Sequence, residues 1–328
     1  MTSEDSLIAG IREICASAAP ENLILGIGDD AAVWRPSRSN LSVISSDALV
    51  EDVHFTLATV SARDVGHRAL AANLSDIAAM GARPVLATIA LGVNVRSDAA
   101  WIGELYTGMA QLATRSGCAL AGGDITRAPA ITIAITIVGE VRPSNLKLRS
   151  GARPGDVVAL TGPLGASRAG LGILRDAPQL ADDPRFAAVV RAFRRPEPRL
   201  AQGHWLGASR NVHALMDSSD GLSTDLTRLC IASGVGAVLE QIPVDDEARA
   251  VAQLMDDDPD AYALDGGEDF ELIAVIGRRA FNHLAERFAR HFGRALIRVG
   301  TIESAPGLRA AGGGSIISAG WDHFTSRC

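Results

Sequence analysis

The chain has 328 residues, a formal net charge of −7, 47% hydrophobic and 21% charged residues. That length suits about two domains with sizeable cores, and the acidic balance argues against nucleic acid as a partner. Cys15, Cys118, Cys230 and Cys328 are widely spaced with no C-x-x-C pair, which argues against zinc. No apolar run is long enough to cross a bilayer. The opening MTSEDSLIAGIREI has acidic residues where a signal peptide needs basic ones, so a cytoplasmic, membrane-free protein is expected.

In chain order, apolar spacing predicts a helix over Leu7–Ala18 and a buried strand over Leu41–Ser45, ending at Ser46-Asp47. Ser61 followed by Asp64 is a capping-box signal for a helix over Ser61–Met80, stopped by Gly81. A strand over Val85–Val93, a helix over Ser97–Ser116 closed by Gly117, and a short strand over Ala119–Ala121 running into Gly-Gly-Asp follow. The β-branched AITIAITIVGEV is a long strand over Ala130–Val141. SGARPGD, Ser150–Asp156, reads as a boundary. Beyond it come strands over Val157–Leu160, Val212–Met216, Gly236–Glu240, Glu271–Ile276 and Leu296–Ile302. Helices are expected over Ala166–Arg175, on both sides of RRPEPR, and over Leu222–Ser233, Asp245–Met255 and Arg279–His291. The expectation is two α/β domains, 1–149 and 150–328.

The stretch LILGIGDDAAVWRP nearly fits the dinucleotide fingerprint G-x-G-x-x-G/A, yet places Asp29 and Asp30 where a pyrophosphate would lie. Pro36 would interrupt the helix that such a site needs. A P-loop fails too, because Lys147, the only lysine, sits in NLKLRS. A protein-kinase fold would need a strand lysine and H-R-D, and both are missing. Other acidic turns give the pair a purpose: Asp47 in ISSD, Asp76 in NLSD, Asp124 in AGGD, Asp217 and Asp220 in DSSD, and Glu268 and Asp269 in DGGED. Two carboxylates about 4 Å apart repel by roughly 4 kcal/mol at an effective dielectric of about 20. A converging set therefore needs cations, and oxygen ligands without thiolates point to Mg²⁺ shared with phosphates. Each Asp has a plainer alternative as a turn or helix cap. Asp76 resists it, since its neighbours Leu74, Ile77 and Ala78 are apolar. His54 alone reads as a strand-edge histidine, His67 as structural, and Tyr106, by helical spacing, as core. The WDHF tail is either a packed end or a ligand lid.

GIGDDAAV, ISSDALVEDVHF, ALAANLSDIAAMGARP, LAGGDITR, LRSGARPGD, LTGPLGAS, DSSDGL, GGEDFEL and GWDHF occur in this order. Together, from about Leu7 to Phe324, they resemble the thiamine-monophosphate kinase family, in the superfamily of aminoimidazole ribonucleotide synthetase and selenophosphate synthetase. The resemblance implies ATP-dependent phosphorylation of thiamine monophosphate to thiamine diphosphate. It implies a two-domain PurM-like α/β (α+β) architecture. An N-terminal mixed sheet with helices would bind ATP and Mg²⁺ and form a homodimer, and a C-terminal α/β domain would complete the active site. It implies several Mg²⁺ ions held by Asp30, Ser45, Ser46, Asp47, Asp76, Asp124, Asp217 and Asp220. ATP would be served by Tyr106, Gly123, Asp124, Arg149 and Ser219, and thiamine monophosphate by His54, Glu268 and Trp321.

Departures from the family pattern are small. Ser45-Ser46-Asp47 stands where Ser-Thr-Asp is usual, and serine keeps the hydroxyl. Ile125 stands where a threonine is common, Ser218 replaces an apolar residue, and Trp321 replaces other aromatics while keeping a stacking face. The nucleophile, a phosphate oxygen, needs no strong general base, and none is assigned. Selenophosphate synthetase would want a reactive cysteine near a glycine-rich N-terminal loop, and Cys15 sits in an apolar helical run instead. A hydrogenase-maturation dehydratase would end in a reactive cysteine, as Ser326-Arg327-Cys328 does, but GGEDFEL and GWDHF favour the kinase. A noncatalytic metal- or nucleotide-sensing protein would have little reason to keep so many costly carboxylates.

Overall fold

The computed structural model describes residues 4–16, 21–28 and 31–321. Asp29, Asp30, residues 17–18 of the first expected helix, Asp322–Phe324 and Cys328 lie outside them. The chain separates into two compact units, Met1–Ile77 with Ala82–Pro143, and Ala78–Gly81 with Ser144–Cys328.

The first unit runs α1 (Glu4–Cys15), β1 (Leu23–Leu25), β2 (Val33–Trp34), β3 (Leu41–Val50), α2 (Ala62–Ala79), β4 (Arg83–Val93), α3 (Ala99–Ser116), β5 (Ala119–Arg127) and β6 (Thr132–Val141). Its main sheet has the order β3-β6-β4-β5. β6 pairs antiparallel with β3 and β4, while β4 and β5 are parallel, so the sheet is mixed. Alternate residues Ile133, Ile135 and Ile137 of β6 and Ile89 and Leu91 of β4 are buried. So are Leu70, Leu74 and Ile77 of α2 and Leu105, Met109 and Leu112 of α3. The period-2 and period-3.6 apolar rows supply this unit's core.

The helix ends follow the local chemistry. The Ser61 hydroxyl donates to Asp64 at 2.7 Å and accepts the Asp64 N–H at 3.2 Å, and Asp98 caps α3 by accepting from the Trp101 N–H. Gly117 ends α3 in the left-handed region. α2 and α3 cross where both lack side chains. A Cβ at Gly66 would overlap the Leu105 carbonyl, and one at Gly108 would overlap the Arg63 carbonyl.

Two strands run further than expected. β3 does not end at Ser46-Asp47 but pairs with β6 residue by residue from Leu41 to Val50. β5 carries Gly122, Gly123 and Asp124 inside the strand and ends at Arg127. Polar residues on a pleated strand end nothing when neighbours on both sides keep the ladder. The short pair β1–β2 was not expected. Its Leu23 and Trp34 pack against Val85, Leu86, Ala119 and Ala121.

The second unit runs β7 (Val157–Leu160), α4 (Ala166–Asp176), α5 (Ala187–Arg194), α6 (Leu200–Gly207), β8 (Val212–Asp217), α7 (Leu222–Ser233), β9 (Gly236–Leu239), α8 (Asp246–Leu254), α9 (Pro259–Asp265), β10 (Leu272–Ile276), α10 (Phe281–Phe292), β11 (Ile297–Glu303) and β12 (Gly307–Ala310). Its sheet order is β12-β9-β11-β7-β10-β8, antiparallel except for the parallel β9–β12 pair. Val157, Ala159, Leu272, Ala274 and Ile276 of the sheet share one core with Leu206 of α6 and Phe281, Leu284 and Phe288 of α10. Short α9 and β12 had no periodic signal to reveal them. Lys147 is buried, and its ammonium donates to the Ser209 carbonyl at 2.8 Å. Burial lowers its pKa.

The helix crossing yields a paired test. Gly108→Val should cost about 1–3 kcal/mol through overpacking. Gly103→Ala, on the same helix but with open space around its added Cβ, should stabilise by up to about 1 kcal/mol. Urea midpoints of the two variants against wild type check this.

Candidate active site

In the first unit, the pleat sorts the β3 residues. Ser45, Asp47 and Leu49 are partly or fully buried on one side, while Ile44, Ser46 and Ala48 are exposed on the other. The Ser45 hydroxyl donates to Asp76 of α2. Asp47 follows two residues along the same side. Asp76 is only half-buried, although Leu74, Ile77 and Ala78 are fully so, which leaves its carboxylate at the rim of the helix–sheet layer. Ser46 is not brought to this group. Its hydroxyl faces the other way, 3.1 Å from the Ile135 carbonyl and 3.2 Å from the Thr136 hydroxyl.

His54 lies in the turn after β3. Its Nδ1 accepts the Val50 N–H at 3.0 Å, which sets the neutral ring as the Nε2–H tautomer. The turn is anchored by Glu51, which sequence reasoning missed. This buried carboxylate accepts from Asn94 at 2.8 Å, from the Ile131 N–H at 3.1 Å and from Arg96 at 2.6 Å. On β5, a Cβ at Gly123 would overlap the Ile89 carbonyl, so β5 and β4 approach more closely there than any other residue allows. Asp124 follows, exposed and paired in register with Ala90. Tyr106 is enclosed in α3, where α1 packs, and is not presented to a surface. Burial, with Cys15 nearby, raises its phenol pKa.

In the second unit, antiparallel pairing sets Asp217, the last residue of β8, opposite Leu272, the first of β10. The loop leaving β8 and the loop entering β10 therefore begin side by side. Three main-chain bonds join them: Ser218 N–H to the Glu271 carbonyl at 2.8 Å, Phe270 N–H to Ser218 at 3.0 Å and Glu268 N–H to Ser219 at 2.7 Å. Glu268 and Phe270 adopt φ of 56° and 50°, conformations that non-glycine residues hold only when their surroundings impose them. The C-terminal segment closes the group, as the Trp321 N–H donates to the Asp220 carbonyl at 3.0 Å. Asp217, Ser219, Asp220, Glu268 and Trp321 thus come together. Arg149 is exposed, in a segment that runs beside β8 through a Leu215 N–H bond to the Leu148 carbonyl of 3.0 Å.

Further acids shape these loops. Asp225 of α7 is fully buried and accepts the Ser219 and Asp220 N–H groups at 2.9 and 3.0 Å. Burial, reinforced by Asp217 and Asp220, pushes its pKa up to about 7. Arg228 pairs with both Asp220 and Asp225. Asp269 caps α4 from outside the helix by accepting the Gly165 and Ser167 N–H groups at 2.7 and 3.0 Å. Burial raises its pKa to about 7. Buried Glu271 receives Thr161 at 2.5 Å, Arg199 at 2.8 Å and Arg294 at 2.6 Å. The sequence signal for Asp225 was an acid in a helix's first turn, which reads as ordinary dipole compensation. Among the described residues, no three acidic, histidine or cysteine side chains form a group able to hold a metal alone.

The chain matches the family model for AIR synthase related protein, N-terminal domain, over residues 28–141, and that for its C-terminal domain over 153–310. It is 38% identical over 308 residues to the thiamine-monophosphate kinase of Synechococcus elongatus, covering 91% of each chain. The crystal structure of thiamine-monophosphate kinase from Stenotrophomonas maltophilia superposes with a TM-score of 0.84 at 32% identity, over 96% of this chain and 98% of that one. AaThiL complexed with AMPPCP and TMP superposes with a TM-score of 0.78 at 28% identity, over 98% and 97%.

Asp269 supplies a pH test. Its folded pKa lies above the ordinary carboxylate value, so its contribution to stability is fully present below about pH 4 and is lost as the pH rises towards 7. Asp269→Asn removes that titration. Going from pH 5 to pH 8, wild type should lose unfolding free energy relative to Asp269→Asn, as measured by denaturant titration of both proteins.

Proposed function

The chain belongs to the thiamine-monophosphate kinase family of AIR synthase related proteins, and from that premise we propose how its residues carry out ATP-dependent phosphorylation of thiamine monophosphate to thiamine diphosphate, the last step in making that diphosphate. The observation that carries this reading is the joining of the 217–220 loop to the 265–270 loop, with Trp321 bonded to Asp220. It brings together two of the proposed metal ligands, Asp217 and Asp220, with the proposed nucleotide contact Ser219 and the proposed substrate contacts Glu268 and Trp321.

A phosphate monoester is largely dianionic near neutral pH, since its second pKa is about 6. Its oxygen therefore attacks the γ-phosphorus of ATP without a strong general base. The obstacle is the meeting of two anions, and the protein's work is positioning and charge neutralisation. Asp30, Ser45, Ser46, Asp47, Asp76, Asp124, Asp217 and Asp220 are the proposed Mg²⁺ ligands. The donor chemistry fits: carboxylates and a serine hydroxyl bonded to a carboxylate suit a hard cation. Because its hydroxyl serves Ile135, Ser46 would contribute through its main chain. Bound Mg²⁺ would supply charge neutralisation and orientation of phosphate oxygens.

Gly123 and Ser219 would give the nucleotide close main-chain approach, and exposed Arg149 would offer a guanidinium to its phosphates. Tyr106 would support this side only from within the core. His54, as the Nε2–H tautomer, would donate to the substrate phosphate. Trp321 is 38% exposed, and its ring would stack on the cationic thiazolium. Glu268, aimed by its strained main chain, would complete the substrate contacts.

We also propose a homodimer through the part of the first unit's sheet, around Ile44–Ala48 of β3, that lies beyond the β1–β2 packing, within the 1–149 domain. Ile44 is 67% exposed there, and Ser46, Ala48, Ala134 and Thr136 lie in the adjoining register positions. This small, partly apolar surface suits a two-fold contact. A cytoplasmic location is proposed, in keeping with the three free thiols buried among the described residues.

Asp47→Asn or Asp76→Asn should lower turnover by at least about 100-fold with the fold intact, as expected for lost electrostatic stabilisation. ADP release with thiamine monophosphate, against unphosphorylated thiamine as control, measures it. Near-normal transfer at limiting Mg²⁺ would refute the assignment. Ala48→Arg should turn the dimer into monomers in sedimentation velocity.

A further inference from the structure

We propose that Thr224 is a positioning residue for Trp321: it holds the 318–321 segment against the start of α7, so that the aromatic side chain springs from a fixed main chain beside the 217–220 loop. This rests on the reading of Trp321 as a substrate contact. Thr224 acts through Trp321 rather than on the substrate itself, and it sets how well thiamine monophosphate is held.

The segment is tied down at successive residues. The Ser318 hydroxyl lies 2.7 Å from that of Thr224, and the Ala319 N–H donates to the Ser223 hydroxyl at 3.3 Å. The Gly320 N–H donates to the Thr224 hydroxyl at 3.2 Å, and the Trp321 N–H to the Asp220 carbonyl at 3.0 Å. Ser223 in turn donates to Asp265 at 2.5 Å, so the same helix start also ties the last residue of α9. Ser223 and Thr224 are buried, while Ser318 and Ala319 above them are exposed. Ile317, just before them, is 81% exposed and adds little packing, so hydrogen bonds rather than apolar contact hold this end of the chain. A Cβ on Gly320 would come within 2.0 Å of the Asp220 carbonyl oxygen and 2.7 Å of the Thr224 hydroxyl oxygen. The segment thus lies flush on the loop, at an approach that only glycine permits. Thr224 supplies two of the ties through one hydroxyl, which can accept from Gly320 while pairing with Ser318. The 217–220 loop has its own anchor in Asp225, which takes the Ser219 and Asp220 N–H groups. Loss of the Thr224 ties therefore frees the segment and leaves the loop in place. A freed Trp321 must be ordered when substrate binds, and that cost falls on substrate affinity.

The experiment uses the full chain and measures KM for thiamine monophosphate and for ATP by ADP release. Thr224→Val keeps the side chain's shape and removes its ties. It should raise KM for thiamine monophosphate by roughly 3–10-fold, the worth of one modest hydrogen bond. KM for ATP should stay within about twofold of wild type. Thr224→Ser keeps the hydroxyl and should restore the wild-type value. Gly320→Ala displaces the segment from its own side, outside the core, and should also raise KM for thiamine monophosphate alone; it decides the matter if Thr224→Val does not fold. A purely structural Thr224 would spoil both KM values together, because Ser219, the proposed nucleotide contact, lies in the loop that leads into α7. Equal rises in both, no rise, or no recovery in Thr224→Ser would overturn the proposal. Trp321→Ala separates it from the parent reading. If Trp321→Ala raises KM for thiamine monophosphate while Thr224→Val does not, the positioning role fails and the substrate contact stands. If Trp321→Ala changes nothing, the substrate contact falls and this proposal with it. In the Trp321→Ala background Thr224→Val should add nothing, and a further rise would also overturn it.

Discussion

Carboxylates cannot hold one another in place, so every acidic loop here depends on something else to fix it. The recurring device is a buried acid on a neighbouring element that accepts main-chain N–H groups. Asp225 on α7 takes two N–H groups of the 217–220 loop. Asp269 takes two at the start of α4, and Glu51 takes that of Ile131. Main-chain donors add no net charge, so they order a loop without neutralising the acids it displays. Arginine is then needed only where a carboxylate would otherwise lie buried or uncovered, as with Glu271 and Asp220.

Most regular elements could be read from the sequence because each long one combines a periodic apolar row with a chemical stop. α2 has its capping box, α3 its Gly117, and α7 its Gly234 in the left-handed region. What failed was the reading of polar residues as strand ends. Ser45 and Asp47 face one side of β3 and Ser46 the other, which a single-face hydrophobic pattern cannot express. β1 and β2, of three and two residues, are too short to show a period.

The candidate site was legible where its residues form contiguous motifs, and less so where a distant side chain supports them. DSSDG and DGGED could be singled out, but not the three main-chain bonds that tie them, because strand pairing rather than sequence proximity creates those bonds. Asp225 occupies the first turn of a helix, where an acid is routine, and nothing in the sequence singles out Glu51. Tyr106 shows the reverse case: helical spacing placed it in the core, where it is found. Glu268 and Phe270 show what the tie costs. Two side-chain-bearing residues are kept in a conformation that glycine would adopt freely, so the loop's shape is imposed by its partners.

The single lysine carries one more consequence. Lys147 lies inside the second unit with its ammonium bound to the Ser209 carbonyl, and every other strongly basic side chain is an arginine. The surface therefore presents guanidinium groups and no ε-amine. Acylating agents, carbamylation and lysine-directed tagging enzymes find no side-chain target on the folded chain. A label at Lys147 would report that the packing around Ser209 had opened.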